Sequence, residues 1–283
     1  MTMRSGLAGL AGLLAAALAA ALAGCIVSPY PTATAVVPSQ QPTDETEEQA
    51  SEPPPPLPVY EQPPAPEEGY IWVPGVWRWG PEGYFWVPGT WVMPPSVGLL
   101  WTPGYWAFVG TVYVFHPGYW GPHVGYYGGI NYGHGYFGNG YAGGRWVNNR
   151  FQYNTAVTNV NVTNIHNTYN ETVVNNVTVN NNVSRVSYVG APGARAAPAT
   201  TAPPVARELR VPPTPQQQQH HDLARTTPYQ NVTHNVGRPP VAGTPHPAAF
   251  TERGVTSARI EGPAYHPAHP PPQQKAPAAQ KEH

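Results

Sequence analysis

The chain has 283 residues, with 38 Pro, 29 Gly, only 10 % charged residues and a formal net charge of −1. Leu and Ile are scarce beyond the N-terminal stretch, which excludes an ordinary aliphatic core, and nothing has the basic density of a nucleic-acid footprint. All nine Trp lie between Trp72 and Trp146, so the folded unit is expected there.

Residues 1–24 read as a targeting signal: Arg4 is followed by the uncharged Leu/Ala/Gly run Leu7 to Ala23. The run ends in Leu22-Ala23-Gly24-Cys25, which resembles the lipobox of bacterial lipoproteins. That resemblance implies cleavage before Cys25 and acyl chains on its thiol, hence a membrane partner without a spanning helix. With two or more acyl chains, anchoring is stable. Ile26 follows the cysteine, and by the same resemblance this implies the outer membrane of a bacterial envelope. Two alternatives remain on sequence grounds. The run is long enough to span a bilayer, and Cys25 could be an incidental thiol after ordinary cleavage. It is the sole Cys, so no intrachain disulfide can form.

Residues 25–68 hold eight acidic residues, no Lys or Arg, and the run Pro53-Pro54-Pro55-Pro56. Few apolar groups offset the entropy of ordering, and proline favours polyproline II. The segment reads as a disordered spacer that holds the rest away from the membrane.

Residues 69–122 spell nearly the same eight residues four times. The copies are Tyr70-Ile-Trp-Val-Pro-Gly-Val-Trp77, Tyr84-Phe-Trp-Val-Pro-Gly-Thr-Trp91, Leu99-Leu-Trp-Thr-Pro-Gly-Tyr-Trp106 and Tyr113-Val-Phe-His-Pro-Gly-Tyr-Trp120. Pro-Gly is a turn signal, because Pro presets φ and Gly accepts the positive φ of a type II turn. With Pro74-Gly75 as a loop, Trp72 faces Trp77. With Gly80 to Gly83 as the next loop, Trp79 faces Tyr84 and Trp77 faces Trp86. Alternatively, Pro-Gly is a bulge within one longer strand. Both versions put Trp72, Trp77, Trp86, Trp91, Trp101, Trp106, Phe115 and Trp120 on one face. The expected fold is mainly β: a small antiparallel, aromatic-rich meander built from four Pro-Gly repeats and flanked by long disordered segments.

These copies resemble the YXWGXW, or WXXGXW, repeat family of bacterial envelope proteins. Tyr119-Trp-Gly-Pro-His-Val-Gly-Tyr-Tyr-Gly-Gly-Ile-Asn-Tyr-Gly133, Asn154-Thr-Ala-Val-Thr-Asn-Val-Asn-Val-Thr163 and Ile165-His-Asn-Thr-Tyr169 share the resemblance, with a weaker echo at Asn235-Val-Gly-Arg-Pro-Pro-Val-Ala242. Leu99 for Tyr and Phe115 for Trp depart from the pattern. The resemblance implies a compartment and a fold more than an activity, although some members carry a carbohydrate-binding label.

Residues 123–153 alternate Gly with aromatics and end in a hairpin pattern around Val147-Asn-Asn-Arg150, expected to close the repeat unit. Residues 154–189, rich in Asn, Val and Thr, read as strand-like. Residues 190–283, Pro-, Gln- and His-rich, read as a disordered tail.

Catalysis needs positioned titrating groups, and the segment from Tyr70 to Arg150 holds only Arg78, Glu82, Arg145 and Arg150 as charged residues. No catalytic residue, cofactor or metal is assigned. His116, His123, His134 and His166 share no ligand spacing and read as single histidines. The sequence therefore reads as a non-enzymatic, lipid-anchored envelope protein with a structural or assembly role. The alternative is a carbohydrate-binding lipoprotein whose aromatic row stacks on envelope polysaccharide or peptidoglycan. The same eight residues serve either as core or as platform.

Overall fold

The computed structural model describes residues 48–173, 185–190, 208–260 and 264–265. The signal segment 1–24, Cys25 with its lipidation, and the stalk up to residue 47 lie outside the described residues. So do 174–184, 191–207 and the end of the chain beyond 265.

In chain order, β1 (Gln49–Ala50) precedes a run of eight strands: β2 (Ile71–Val73), β3 (Val76–Gly80), β4 (Gly83–Val87), β5 (Gly89–Val92), β6 (Leu100–Thr102), β7 (Tyr105–Val109), β8 (Val112–His116) and β9 (Tyr119–Gly121). Then come β10 (Asn131–Gly133), β11 (Tyr136–Phe137), β12 (Gly144–Val147), β13 (Arg150–Asn154), β14 (Thr168–Tyr169) and β15 (Tyr188–Val189). Helix α1 (Pro215–Thr226), a 3₁₀ turn (Pro228–Gln230), α2 (Val232–Asn235) and β16 (Gly243–Thr244) follow.

The register shows what Pro-Gly does. β3 and β4 pair antiparallel with Trp77 opposite Trp86 and Trp79 opposite Tyr84 around the Pro81-Glu82 turn, the pairing expected for that loop. β2, however, pairs with β5, placing Trp72 opposite Trp91 and not opposite Trp77. Both ladders belong to one long hairpin, 71–92, in which Pro74 faces Gly89 and Gly75 faces Pro88. The second hairpin repeats this. β7 pairs with β8, Trp106 opposite Phe115, and β6 pairs with β9, Trp101 opposite Trp120. Pro-Gly as a hairpin loop is thus corrected. It is a paired break inside a hairpin, closer to the bulge alternative.

The physical reason lies in strand periodicity. Residues five apart on a flat strand point to opposite faces, so Trp72 and Trp77 share a face only if the pleat is interrupted between them. Pro lacks the N–H that would continue the ladder. Gly supplies room, not a special dihedral, since none of Gly75, Gly89, Gly104 and Gly118 has positive φ. The ring at the third position of each copy (Trp72, Trp86, Trp101, Phe115) lies on the glycine of the facing copy. A Cβ on Gly75 would strike the Trp86 ring, and one on Gly89 the Trp72 ring. On Gly104 it would come within 2.6 Å of Phe115, and on Gly118 within 2.5 Å of Trp101.

All eight rings of the row are 6 % exposed or less. The four cross-strand pairs sit at 5.2–5.4 Å between centroids, three of them edge-on and Trp106–Phe115 tilted. Such pairs contribute about 0.5–1.5 kcal/mol each beyond their burial. Four together offer on the order of 2–6 kcal/mol, a large part of a typical domain's net stability of roughly 5–15 kcal/mol. Tyr136 reaches both hairpins, its hydroxyl donating to Trp101 O at 3.0 Å and lying 3.3 Å from Trp72 O. Tyr84 packs edge-on against Trp106 at 5.4 Å.

Two expectations about the flanks are overturned. Residues 48–68 are not a free spacer. Leu57, Tyr60, Gln62 and Ala65 are buried, Tyr60 packs on Trp72 and Trp86, and β1 adds to β8. Nor is 208–260 a free tail: β16 pairs parallel with β5, Trp120 bridges Val211, and α1 packs on β4. Both segments satisfy donors that the aromatic row brings into the interior, so tertiary partners outweigh their composition. Among the described residues of 154–189, the strand-like reading holds for the short β14 and β15, which add in parallel to β13 and β7. The 123–153 segment closes as expected, with β12 pairing β13 around Val147–Arg150.

Helix α1 begins at a capping box: Gln217 N–H donates to Thr214 Oγ1 while Thr214 N–H donates to Gln217 Oε1. His220 fastens it to the first hairpin. Its Nδ1 accepts the Ala248 N–H at 2.8 Å, so the ring proton sits on Nε2, which donates to Pro88 O at 2.9 Å. A second proton would place two donors face to face. Burial first of all holds the His220 pKa down to about 4, and the half-buried His134, between Tyr60 and Trp72, is likewise held at about 4 by burial.

The paired breaks predict that Gly75→Ala costs about 1–3 kcal/mol through overpacking against Trp86. Gly80→Ala, whose Cβ would meet Phe85 at an ordinary 3.4 Å, changes stability by less than about 1 kcal/mol. Urea unfolding followed by Trp emission distinguishes the two. For His220, a depressed folded-state pKa means that the unfolded chain binds more protons between pH 6.5 and 4. Stability is therefore lost as pH falls through that window and not further below it, by an amount on the order of 3 kcal/mol for this residue. His220→Gln, which keeps one donor and one acceptor, should flatten the fall of Tm from pH 6.5 to 4 relative to the parent chain. His134 leaves a residual slope, and an unchanged slope would refute the assignment.

Candidate functional site

The aromatic row expected as core or platform is core. Its rings face each other and the chain's own flanks. Trp77 Nε1 donates to Pro56 O at 3.2 Å, Trp91 Nε1 to Pro63 O at 2.8 Å, Trp86 Nε1 to Ala242 O at 3.1 Å, and Trp106 Nε1 to Trp77 O at 2.8 Å. Trp120 Nε1 donates to Gln217 Oε1 at 2.8 Å. Cys25 lies outside the described residues.

The histidines are dispersed. His116 stacks on Tyr105, His123 pairs with Glu208 at the surface, and His134 is lodged between Tyr60 and Trp72. Among the described residues no group of three or more His, Cys, Asp or Glu could hold a metal ion. No helix among them is long and apolar enough to cross a membrane.

A concavity lies where the two hairpins meet α1. It has a volume of about 360 Å³, within the range of roughly 300–1,000 Å³ usual for small-molecule sites. The first hairpin lines it with Val73, Val76, Val87 and Thr90, which lie on the face opposite the Trp row. The second supplies Trp101, Phe115 and the Pro103-Gly104 and Pro117-Gly118 breaks. Pro213 and the α1 residues Gln217, Gln218, His220, His221 and Asp222 complete the wall.

Its polar groups are few and defined. Arg78 is held on both sides. Its Nε is 2.9 and 3.0 Å and its Nη2 2.5 Å from the Glu48 carboxylate, and its guanidinium lies 4.3 Å over the Phe115 ring. The cation is thus matched by a carboxylate and an aromatic face. His221 Nδ1 lies 3.3 Å from Asp222 Oδ1, and the ring packs edge-on against Phe85. Burial, and next the nearby Arg78, lower the His221 pKa. Thr90 Oγ1 and His221 Nε2 are buried without a hydrogen-bond partner.

Strand alternation puts Val73, Val87, Thr90 and Arg78 on the face opposite the row, but sequence reasoning assigned them no site. It missed the α1 wall entirely. The available signal was Thr214-Pro-Gln-Gln217, a capping box with Pro at the first helical position, read instead as part of a low-complexity tail.

Comparison with known proteins matches the family model of the WXXGXW repeat in two copies, over residues 69–92 and 97–120. No curated protein and no solved structure matches the chain. The matched spans coincide with the two long hairpins, so each repeat contains two Pro-Gly motifs facing each other. The chain carries the WXXGXW repeat twice, each copy folded as one Pro-Gly-broken aromatic hairpin.

Proposed function

We propose that this chain is a lipid-anchored protein of the bacterial envelope, that it catalyses no reaction, and that its aromatic repeat unit serves a structural or assembly role. The observation that carries the role is the burial of the whole row. Four of its indoles, Trp77, Trp86, Trp91 and Trp120, donate to the chain's own 48–68 and 208–260 segments. The anchor rests on Leu22-Ala23-Gly24-Cys25 and its apolar setting. Acyl chains on Cys25 would tether the folded unit to the outer membrane through the short segment 26–47. Glycan stacking on the row draws no support from this arrangement, since a sugar ring would have to displace those segments first.

The anchor is tested by labelling cells with an alkyne fatty acid. The parent chain should take up label and fractionate with membranes, and Cys25→Ser should lose both label and processing. A labelled or normally processed Cys25→Ser chain would overturn the anchor. The role of the row is tested by Trp emission of the purified chain. Blue-shifted emission, resistant to acrylamide and unchanged by peptidoglycan fragments or lipopolysaccharide, is expected. Sugar-dependent quenching that disappears in folded Trp86→Ala and Trp106→Ala variants would establish stacking instead.

A further inference from the structure

We propose that Asn139-Gly140 is a modification site, at which the folded chain converts the Asn139 amide, without an enzyme, to an aspartyl or isoaspartyl carboxylate. The proposal is independent of the anchor and goes beyond the structural role, since it gives the unit a covalent change of its own.

Three observations select this site. Asn139-Gly140 is the sole Asn-Gly pair in the chain. The reaction needs the next backbone nitrogen to reach the asparagine Cγ, and a side chain on that next residue obstructs the approach. Gly140 has none, and a Cβ built there would meet nothing within 4 Å, so the ring that forms has room. Both residues are exposed, in the bend after β11, where Gly138 and Gly140 have φ of +106° and +60°. Lastly, the reacting groups are not tied down. Among the described residues, neither the Asn139 side chain nor the Gly140 N–H makes a hydrogen bond. Asn131, Asn154, Asn161, Asn231 and Asn235, by contrast, each hold the N–H two residues on through Oδ1. Asn148 is exposed too, but Asn149 follows it.

The step balances with water as the only co-reactant, and nothing is oxidised or reduced. The Gly140 nitrogen loses its proton to water and forms a bond to Asn139 Cγ. The Cγ–Nδ2 bond breaks, and the amide nitrogen leaves as ammonia. Water then opens the cyclic imide. Opening at Cγ gives aspartate, and opening at the backbone carbonyl carbon gives isoaspartate. The isoaspartyl product inserts a methylene into the backbone just before Gly140, whose carbonyl accepts from the Tyr127 hydroxyl at 2.9 Å. Tyr127 is buried and packs edge-on against Tyr136 at 5.9 Å. That product therefore pulls on the contact through which residues 123–153 close the repeat unit.

The test holds the purified full chain folded at mildly alkaline pH and samples it over days. Chymotryptic mapping by mass spectrometry reads the exchange of NH for O at each asparagine. Labelling by an isoaspartyl methyltransferase reads the isoaspartate. Asn139 should convert at least about tenfold faster than Asn131, Asn148 or Asn161, and within about tenfold of its own rate in urea. Asn139→Gln should remove most of the methyl label. The isoaspartyl chain should melt below an Asn139→Asp variant, which carries the charge without the methylene. Conversion of Asn139 no faster than of the other three, conversion confined to the urea-unfolded chain, or an undiminished label in Asn139→Gln would overturn the site. An isoaspartyl chain that melts together with Asn139→Asp would refute the pull on Tyr127.

Discussion

Every indole taken out of water brings an N–H that needs an acceptor, and in this chain that requirement binds the flanks to the repeats. Two hairpins of paired tryptophans cannot supply all of the acceptors themselves: Trp77 O serves Trp106 and Leu99 O serves Trp146, but most of their carbonyls serve the ladders. A proline-rich segment can supply others. Pro56 and Pro63 offer carbonyls to Trp77 and Trp91, and a run such as Pro53 to Pro56 brings almost no N–H groups that would need partners in return. A stretch rich in proline is therefore a suitable lining for an indole surface, although by composition it looks unable to fold. The exchange runs in both directions. The Pro-Gly break leaves the Gly75 N–H outside the ladder, and the Tyr60 hydroxyl of the same flank accepts it at 3.2 Å.

The break also determines what the repeating unit is. A single Trp-x-Pro-Gly element has nothing to place its ring on. Two facing elements complete each other, because each ring covers the other's glycine. This explains why the matched repeat spans a whole hairpin, 69–92 or 97–120, and contains the eight-residue motif twice. It also explains how the fourth copy tolerates Phe115 in place of tryptophan. The smaller ring still covers Gly104, and its outer face takes the Arg78 guanidinium. Leu99, in place of tyrosine in the third copy, keeps the backbone role that matters there: its carbonyl accepts from Trp146 Nε1 at 3.0 Å.

What could be read from the chain follows from these two constraints. The common face of the eight aromatics and the pairing around Gly80 to Gly83 were legible, because spacing and alternation are local properties. The difference between a turn and a paired break was not. Both keep Trp72 and Trp77 on one side, and only the facing hairpin arm tells them apart. The order in 48–68 and 208–260 was illegible for another reason. It depends on acceptors and donors such as Pro63 O, Ala242 O and Gln230 Nε2, the last of which donates to Trp86 O at 3.0 Å. Each finds its partner well over 20 residues away, and none has a signature in its own neighbourhood. Helix α1 was the exception, since Thr214 and Gln217 announce its start within four residues. The cavity, assembled from three distant segments, had no local signature at all.

The same economy of aliphatic residues explains why a cavity exists beside the first hairpin. Its aromatic face is packed against the flanks and the second repeat, while its other face presents Val73, Val76 and Val87 to α1. That helix meets the hairpin with Gln217, His220 and Ala224 as its buried residues. Two of these are already committed, Gln217 to Trp120 Nε1 and its own cap, His220 to Pro88 O and Ala248 N–H. The third, Ala224, packs with Phe85, Val241 and Phe250 and does not line the cavity. A helix with leucine at these positions would fill the gap, but it would leave the Trp120 indole and the Pro88 carbonyl without their partners. The polar helix satisfies the aromatic unit at its margins, and the unfilled space against the aliphatic face is the geometric consequence of that choice.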